Sequence, residues 1–259
     1  NHPCYTELDK TGQWLFAGNY SSGTVGLLHV NTDGSLDSLS QLIKHSGSGP
    51  NLQRQQSAHV HATVISADNR YLFVPDLGMD KLVSYKFRNG RLGKCAEAVS
   101  LPGSGPRHLA FSPGQKFVYL MEEMSGMVVC YKLKRGKMKF VQRSNANLQH
   151  FTGATGAADI HVSPDGNFLY CSNRGDANNI AIFSVDKKNG KLILVSHQSV
   201  LGKKPRNFNF DPSGNFLLVA NQDSDEIVIF KIDKTSGLLS DTGKRIAIPN
   251  PVCIKWVHM

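Results

Sequence analysis

SAHVHATVISADNRYLFVPD, residues 57–76, carries two signals in one stretch. Its second half, a polar turn followed by an apolar run headed by Tyr71, recurs along the chain. Aligned on that aromatic are DKTGQWLFAGN (9–19), SADNRYLFVPD (66–76), SPGQKFVYLME (112–122), SPDGNFLYCSN (163–173) and DPSGNFLLVAN (211–221). The marker aromatics Trp14, Tyr71, Phe117, Phe168 and Phe216 are 46 to 57 residues apart, the length of a propeller blade of four short strands. The opening histidines, His59 and His61, recur in no other unit.

Each unit reads as an extended first strand, a turn of the Pro-Asp-Gly kind, and a second strand of β-branched and aromatic residues. A third strand follows at 24–30, 81–87, 127–133, 179–185 or 226–232, then a glycine-bearing hairpin and a weaker fourth strand. Amphipathic helical periodicity is nearly absent. The expected fold is therefore all-β, a β-propeller built by radial repetition, forming a single domain over residues 1–259. Five units are complete, and residues 250–257 (NPVCIKWV) read as a lone first strand of a sixth. A ring closed by strands from both termini would then need one or two further blades N-terminal to Asn1.

The 259 residues carry a net charge of +9, which favours an anionic partner. Lysine and arginine are spread through turns, without the basic run or aromatic strand of an RNA-binding fold, so nucleic acid is not expected. No apolar run is long enough to span a membrane as a helix. The five cysteines show no CxxC spacing and read as reduced core thiols, consistent with the cytoplasm. Oligomeric state is not legible.

The repeats serve as their own control. Five positions after the marker stand Asn19, Asp76, Glu122, Asn173 and Asn221, a pattern expected of a turn-closing side chain. The next column holds Tyr20, Leu77, Glu123, Arg174 and Gln222, placing an acid and a base at equivalent points of adjacent units. Ten residues before the marker stand Cys4, His61, Arg107, Ala158 and Arg206. His59 precedes His61 by two and shares its side of the strand. Antiparallel pairing puts these columns at one end of each blade, so His59, His61, Arg107, Glu123, Arg174 and Arg206 are expected at one face. Two polar loops, 45–57 and 144–156, lead into first strands and should border it.

Histidine moves protons near neutral pH, a carboxylate can orient it or activate water, and guanidinium groups hold anions and a developing oxyanion. Such a set suits hydrolysis of a reactive ester. Structural roles compete: Arg107 and Arg206 could bridge blades, and His108 and His161, inside first strands, read as packing residues. His2, His29, His45, His150, His197 and His258 show no metal-ligand spacing, so no metal is expected. GxSxG, GxxxxGK[ST] and GxGxxG in a strand-to-helix setting are absent, leaving serine-hydrolase and nucleotide-binding readings without support.

Several motifs together carry a resemblance: GSGPN (47–51) with QRQQ (53–56), HVH (59–61), FVPDLG (73–78), GPRHL (105–109) and ADIHVSPDGNFLYCSNRG (158–175). The chain resembles the seven-bladed propeller lactonases, the bacterial 6-phosphogluconolactonase type, which is similar to the carboxy-cis,cis-muconate cyclases. The resemblance implies hydrolysis of 6-phosphogluconolactone to 6-phosphogluconate in the pentose phosphate pathway, without a cofactor. It implies His59, Arg107, Glu123 and Arg174 as catalytic residues; beside them, His61, Arg206 and Asn173 are expected from their places in the repeats to bind the small anionic substrate. Met-Glu-Glu at 121–123 departs from the family's usual Asn-Glu but keeps Glu123. A lactonizing cyclase or a non-catalytic binding module remains the alternative.

Overall fold

Five short polar side chains set the rhythm of the fold. In every repeat the residue five before the marker aromatic accepts a hydrogen bond from that aromatic's backbone N–H: Asp9 from Trp14 (2.9 Å), Ser66 from Tyr71 (2.9 Å), Ser112 from Phe117 (3.1 Å), Ser163 from Phe168 (2.9 Å) and Asp211 from Phe216 (2.7 Å). The turn is thus closed locally by Asx and hydroxyl chemistry before the strands pair.

The computed structural model describes residues 2–257, so His258 lies outside the described residues. The strands are β1 (Pro3–Leu8), β2 (Trp14–Asn19), β3 (Thr24–Val30) and β4 (Leu36–Lys44), then β5 (Val64–Ile65), β6 (Tyr71–Asp76), β7 (Lys81–Arg88) and β8 (Arg91–Val99). They continue as β9 (Pro106–Phe111), β10 (Phe117–Glu122), β11 (Met127–Lys134) and β12 (Lys137–Asn145), then β13 (Ala157–Val162), β14 (Phe168–Asn173), β15 (Asn179–Val185) and β16 (Leu192–Ser199), and end with β17 (Pro205–Phe210), β18 (Phe216–Asn221), β19 (Glu226–Ile232) and β20 (Leu239–Ala247). They form five four-stranded sheets, each an up-and-down meander in chain order. Among the described residues no helix is long and apolar enough to cross a membrane.

The chain divides into two compact units. The first comprises residues up to 109 together with 131–140, and the second comprises 110–130 with the residues from 141 onward. Within the first, Phe16, Leu27, Val60, Leu72 and Val83 form a core between the first two sheets. Within the second, one core joins Tyr119 and Met121 to Leu169 and Phe183, and another joins Tyr170 and Ile182 to Phe208 and Phe230.

The recurrence of the marker aromatic has a packing cause: it fills the space over the glycine of the next sheet's outer hairpin. A Cβ on Gly90 would come within 2.2 Å of Trp14, on Gly136 within 2.4 Å of Tyr71, on Gly190 within 2.5 Å of Phe117, and on Gly237 within 2.4 Å of Phe168. Each of these glycines also has a positive φ, between 66° and 78°.

First strands are less regular than their sequences suggest. Cys4 and Arg206 each interrupt the ladder as a bulge, between Pro3 and Tyr5 and between Pro205 and Asn207, and the fourth sheet breaks register between Ala157 and Ile160. The second sheet goes further: Val60 pairs with Asp76 as an isolated bridge, and the ladder resumes only at Val64. At Cys4, Ala158 and Arg206 the column ten residues before the marker therefore coincides with bulges, which re-aim side chains at sheet ends.

One expectation is corrected. Residues 250–257 form no strand, since no backbone ladder pairs them with a described strand. Side chains of β17 hold this segment instead: Asn207 Oδ1 accepts from Ile254 N (2.7 Å) and Asn209 Nδ2 donates to Ile254 O (3.1 Å). The fourth strands, faint in sequence, are eight or nine residues long, and their weak pattern reflects solvent exposure along most of β4 and β20.

Candidate active site

In the first unit His59 enters between two glycines. A Cβ on Gly78 would lie 1.8 Å from the Ser57 carbonyl oxygen and 2.9 Å from His59 N, and one on Gly23, at φ +60°, would lie 2.5 Å from the Ala58 oxygen. The backbone there can pass only where side chains are missing.

Three contacts then fix His59. Its N–H donates to Asp76 Oδ1 at 2.8 Å, its ring stacks on Tyr20 with centroids 4.5 Å apart and planes 11° from parallel, and its Nδ1 lies 2.9 Å from the Tyr20 carbonyl oxygen. A carbonyl only accepts, so Nδ1 carries the hydrogen, and in the neutral ring Nε2 keeps its lone pair. Nε2 makes no hydrogen bond with any described residue, and His59 is half-buried.

Asp76, fully buried, also accepts from Met79 N and lies 2.7 Å from His45 Nδ1, while His45 Nε2 lies 2.7 Å from Tyr85 Oη. Burial, reinforced by the Asp76 charge, pushes the Tyr85 hydroxyl up to about 12. Tyr85 therefore stays protonated and donates to Nε2, and His45 donates through Nδ1 to the carboxylate. This Asp76, His45 and Tyr85 chain escaped the sequence reading, which saw Asp76 as a turn-closing residue and His45 as the start of a loop without metal-ligand spacing.

His61 is 6% exposed, with its ring edge-on to Tyr20 (5.5 Å) and to His108 (5.2 Å), which in turn meets Tyr5 edge-on at 5.5 Å. His59 and His61 thus do share a side, through Tyr20. Arg107, on β9, is 2% exposed. The loop 45–57 borders this group: Gln55 donates to Leu77 O at 2.8 Å and Arg54 Nη2 donates to Tyr20 Oη at 3.4 Å.

In the second unit Glu123 and Arg174, one residue past the ends of β10 and β14, form an ion pair at 3.3 Å with both side chains about a tenth exposed. Arg174 Nε donates to Gly156 O at 2.9 Å and Nη2 to Ala157 O at 3.3 Å, so the loop 144–156 packs on the pair. Thr155 Oγ1 adds a bond to Met124 O at 2.7 Å. The acid and the base that stand in one column of adjacent repeats are paired in space.

Two other expected residues sit differently. Asn173 is 1% exposed, and its amide donates to Ala146 O (2.7 Å) and Asn179 Oδ1 (2.9 Å), the brace expected of its column rather than a group offered to a ligand. Arg206, half-buried, makes no hydrogen bond or ion pair with any described residue and does not join Glu123 and Arg174. Nearby, Asp159 accepts from Asn207 Nδ2 and from Phe208 N and lies 3.1 Å from His161 Nε2, so His161 belongs to a clamp between β13 and β17. Among the described residues no cluster of three or more His, Cys, Asp or Glu could hold a metal.

Comparison with known proteins adds to this geometry. The family described as lactonase, 7-bladed beta-propeller, matches residues 1–256. A 6-phosphogluconolactonase from Bacillus subtilis is 37% identical over 99% of this chain and 73% of its own length, and one from Formosa agariphila is 40% identical over 95% and 71%. The solved structure of a periplasmic gluconolactonase from Pseudomonas aeruginosa, 39% identical, superposes with a TM-score of 0.93 over 100% of this chain and 74% of that one. The four-stranded meanders are thus blades of a β-propeller, and the chain belongs to the 7-bladed β-propeller lactonase family.

Proposed function

We propose that the protein hydrolyses a sugar lactone, 6-phosphogluconolactone, to 6-phosphogluconate, the reaction named for its relatives from Bacillus subtilis and Formosa agariphila. The observation that carries the mechanism is the His59 tautomer: Nδ1–H is committed to the Tyr20 carbonyl, and Nε2 is left as a lone pair. His59 is therefore the base, and Glu123, engaged with Arg174, is the anchor of a guanidinium.

In the reaction, water adds to the lactone carbonyl carbon as His59 Nε2 takes its proton. The tetrahedral oxyanion is stabilised by guanidinium charge from Arg107, which belongs to the same compact unit as His59. It collapses with cleavage of the bond to the ring oxygen, which receives the proton from His59 and becomes a hydroxyl. General-base help is worth about 10²–10⁴-fold and oxyanion stabilisation about 10²–10³-fold, enough for an already reactive ester. His61, packed on Tyr20, shapes the substrate side of His59. We place the reaction in the cytoplasm, since a phosphorylated sugar does not cross an apolar bilayer unaided.

Assay of the protein against 6-phosphogluconolactone and against a muconate, after subtraction of spontaneous lactone hydrolysis, tests the reading. Saturable lactone opening with no muconate turnover is expected. Muconate lactonization alone would favour the cyclase, and no turnover of either a binding module.

A further inference from the structure

We infer that a cleft between the first two sheets is a second ligand site, taking a small organic carboxylate with an apolar body. It opens between the edge strand β4 of one sheet and β7 and β8 of the next, holds about 410 Å³, and contains none of the residues assigned to the reaction. Small-molecule sites commonly enclose about 300–1,000 Å³. All of its lining belongs to the first unit.

The cleft is shaped in advance. Gln41 on β4 clamps Leu92 on β8: its Nε2 donates to Leu92 O at 2.9 Å and its Oε1 accepts from Leu92 N at 2.8 Å. A shape fixed before binding spares a ligand the cost of ordering it. His45 and Tyr85 line the cleft with rings that are nearly buried, and their hydrogen bonds to each other and to Asp76 leave ring surface rather than new polar partners. Ile43, Met79 and Val83 extend this apolar lining.

Charge selects the other end of the ligand. The lining holds three ammonium groups, on Lys44, Lys81 and Lys94, against one carboxylate, on Glu97. Glu97 spans Lys81 at 3.1 Å and Lys94 at 2.8 Å, so those two cations are braced in place. The Lys44 ammonium makes no hydrogen bond or ion pair with any described residue. A carboxylate gains charge-assisted hydrogen bonds there that an alcohol of the same shape does not, and an amine meets repulsion. Hydrogen bonds through Tyr85, His45 and Asp76 separate the cleft from the His59 N–H, so the site adjoins the base without including it.

The test uses the whole chain, methyl-labelled, with 3-phenylpropionate as probe and 3-phenylpropanol as its uncharged analogue. Calorimetry should show saturable binding of the carboxylate with a Kd of about 0.1–1 mM, and binding of the alcohol at least about tenfold weaker. Methyl resonances of Ile43, Val83 and Leu92 should shift with the same Kd. Lys44→Gln should weaken the carboxylate about five- to tenfold, and Lys44→Arg should keep most of the affinity. Lys188→Gln, on an exposed turn of the second unit, should change nothing. No saturation by about 10 mM, equal affinity for the alcohol, or the parent's affinity in Lys44→Gln would each overturn the inference. So would shifts at Val60, next to His59 in the chain, without shifts at Ile43, Val83 and Leu92. None of these readouts depends on turnover.

Discussion

The imidazole of His59 lies flat on the ring of Tyr20 while its Nδ1 hydrogen bonds the carbonyl oxygen of the same residue, so one neighbour sets both the plane and the tautomer of the base. Ring stacking of this kind contributes about 0.5–1.5 kcal/mol beyond burial. Tyr20→Ala should lower kcat about tenfold, because the carbonyl stays but the ring is free to turn, whereas Tyr20→Phe should keep kcat within about twofold. Steady-state kinetics on the two variants measure the difference.

The buried pair His45 and Asp76 supports His59 from behind, since the same carboxylate accepts the His59 N–H. Removing the neutral His45 ring takes a hydrogen-bond donor from a buried carboxylate, which costs about 1–3 kcal/mol. His45→Leu should lose stability of that order in urea unfolding. Tyr85→Phe removes one hydrogen bond at the far end of the chain and should lose about 1–3 kcal/mol. A midpoint unchanged in both variants would contradict the network.

Gly78 tests the backbone path of the His59 stretch. A methyl group there would sit 1.8 Å from the Ser57 carbonyl oxygen, so the strand carrying His59 must move. Gly78→Ala should retain the β circular dichroism of the parent while kcat falls at least about tenfold, since a displacement near 1 Å can cost a hundredfold. Gly12→Ala is the control: its Cβ meets nothing within 4 Å, and although its positive φ costs some stability, kcat should hold.

Acid stability follows from the turn carboxylates. Burial opposes ionisation of Asp9, Asp165 and Asp211, but hydrogen bonds from Thr11 and Asn69, from Ser163 and Asn167, and from Ser213 and Phe216 outweigh it and hold all three below the ordinary aspartate value. A lowered folded-state value means the unfolded chain takes up protons first as pH falls. These groups therefore add stability above the ordinary aspartate range, about pH 4, and lose it progressively below. Thermal melts should show a steep loss of Tm between about pH 4 and pH 2, and Asp211→Asn should flatten that slope.

The repeat was legible because its signals are local. A capping Asp or Ser and an aromatic five residues later are read from sequence alone, and both proved to have fixed physical jobs. The pairing of Glu123 with Arg174 was legible for the same reason, since equivalent columns of adjacent blades lie side by side. What the sequence hid was non-local. His45 and Tyr85 are 40 residues apart and meet only through folding, and Tyr20 stood in the acid and base column as its one aromatic, easily passed over in a search for charge. Residues 250–257 looked like a strand, but extended apolar sequence becomes one only where its backbone groups pair, and here side chains of Asn207 and Asn209 take the Ile254 backbone instead.

The assignment of His59 as base is tested most directly by kcat/KM for 6-phosphogluconolactone in His59→Gln, which keeps a side-chain amide near the Tyr20 carbonyl but removes the basic nitrogen. After correction for spontaneous hydrolysis, the account predicts a fall of about 10²–10⁴-fold with an unchanged melting temperature. A rate within twofold of the parent would contradict it.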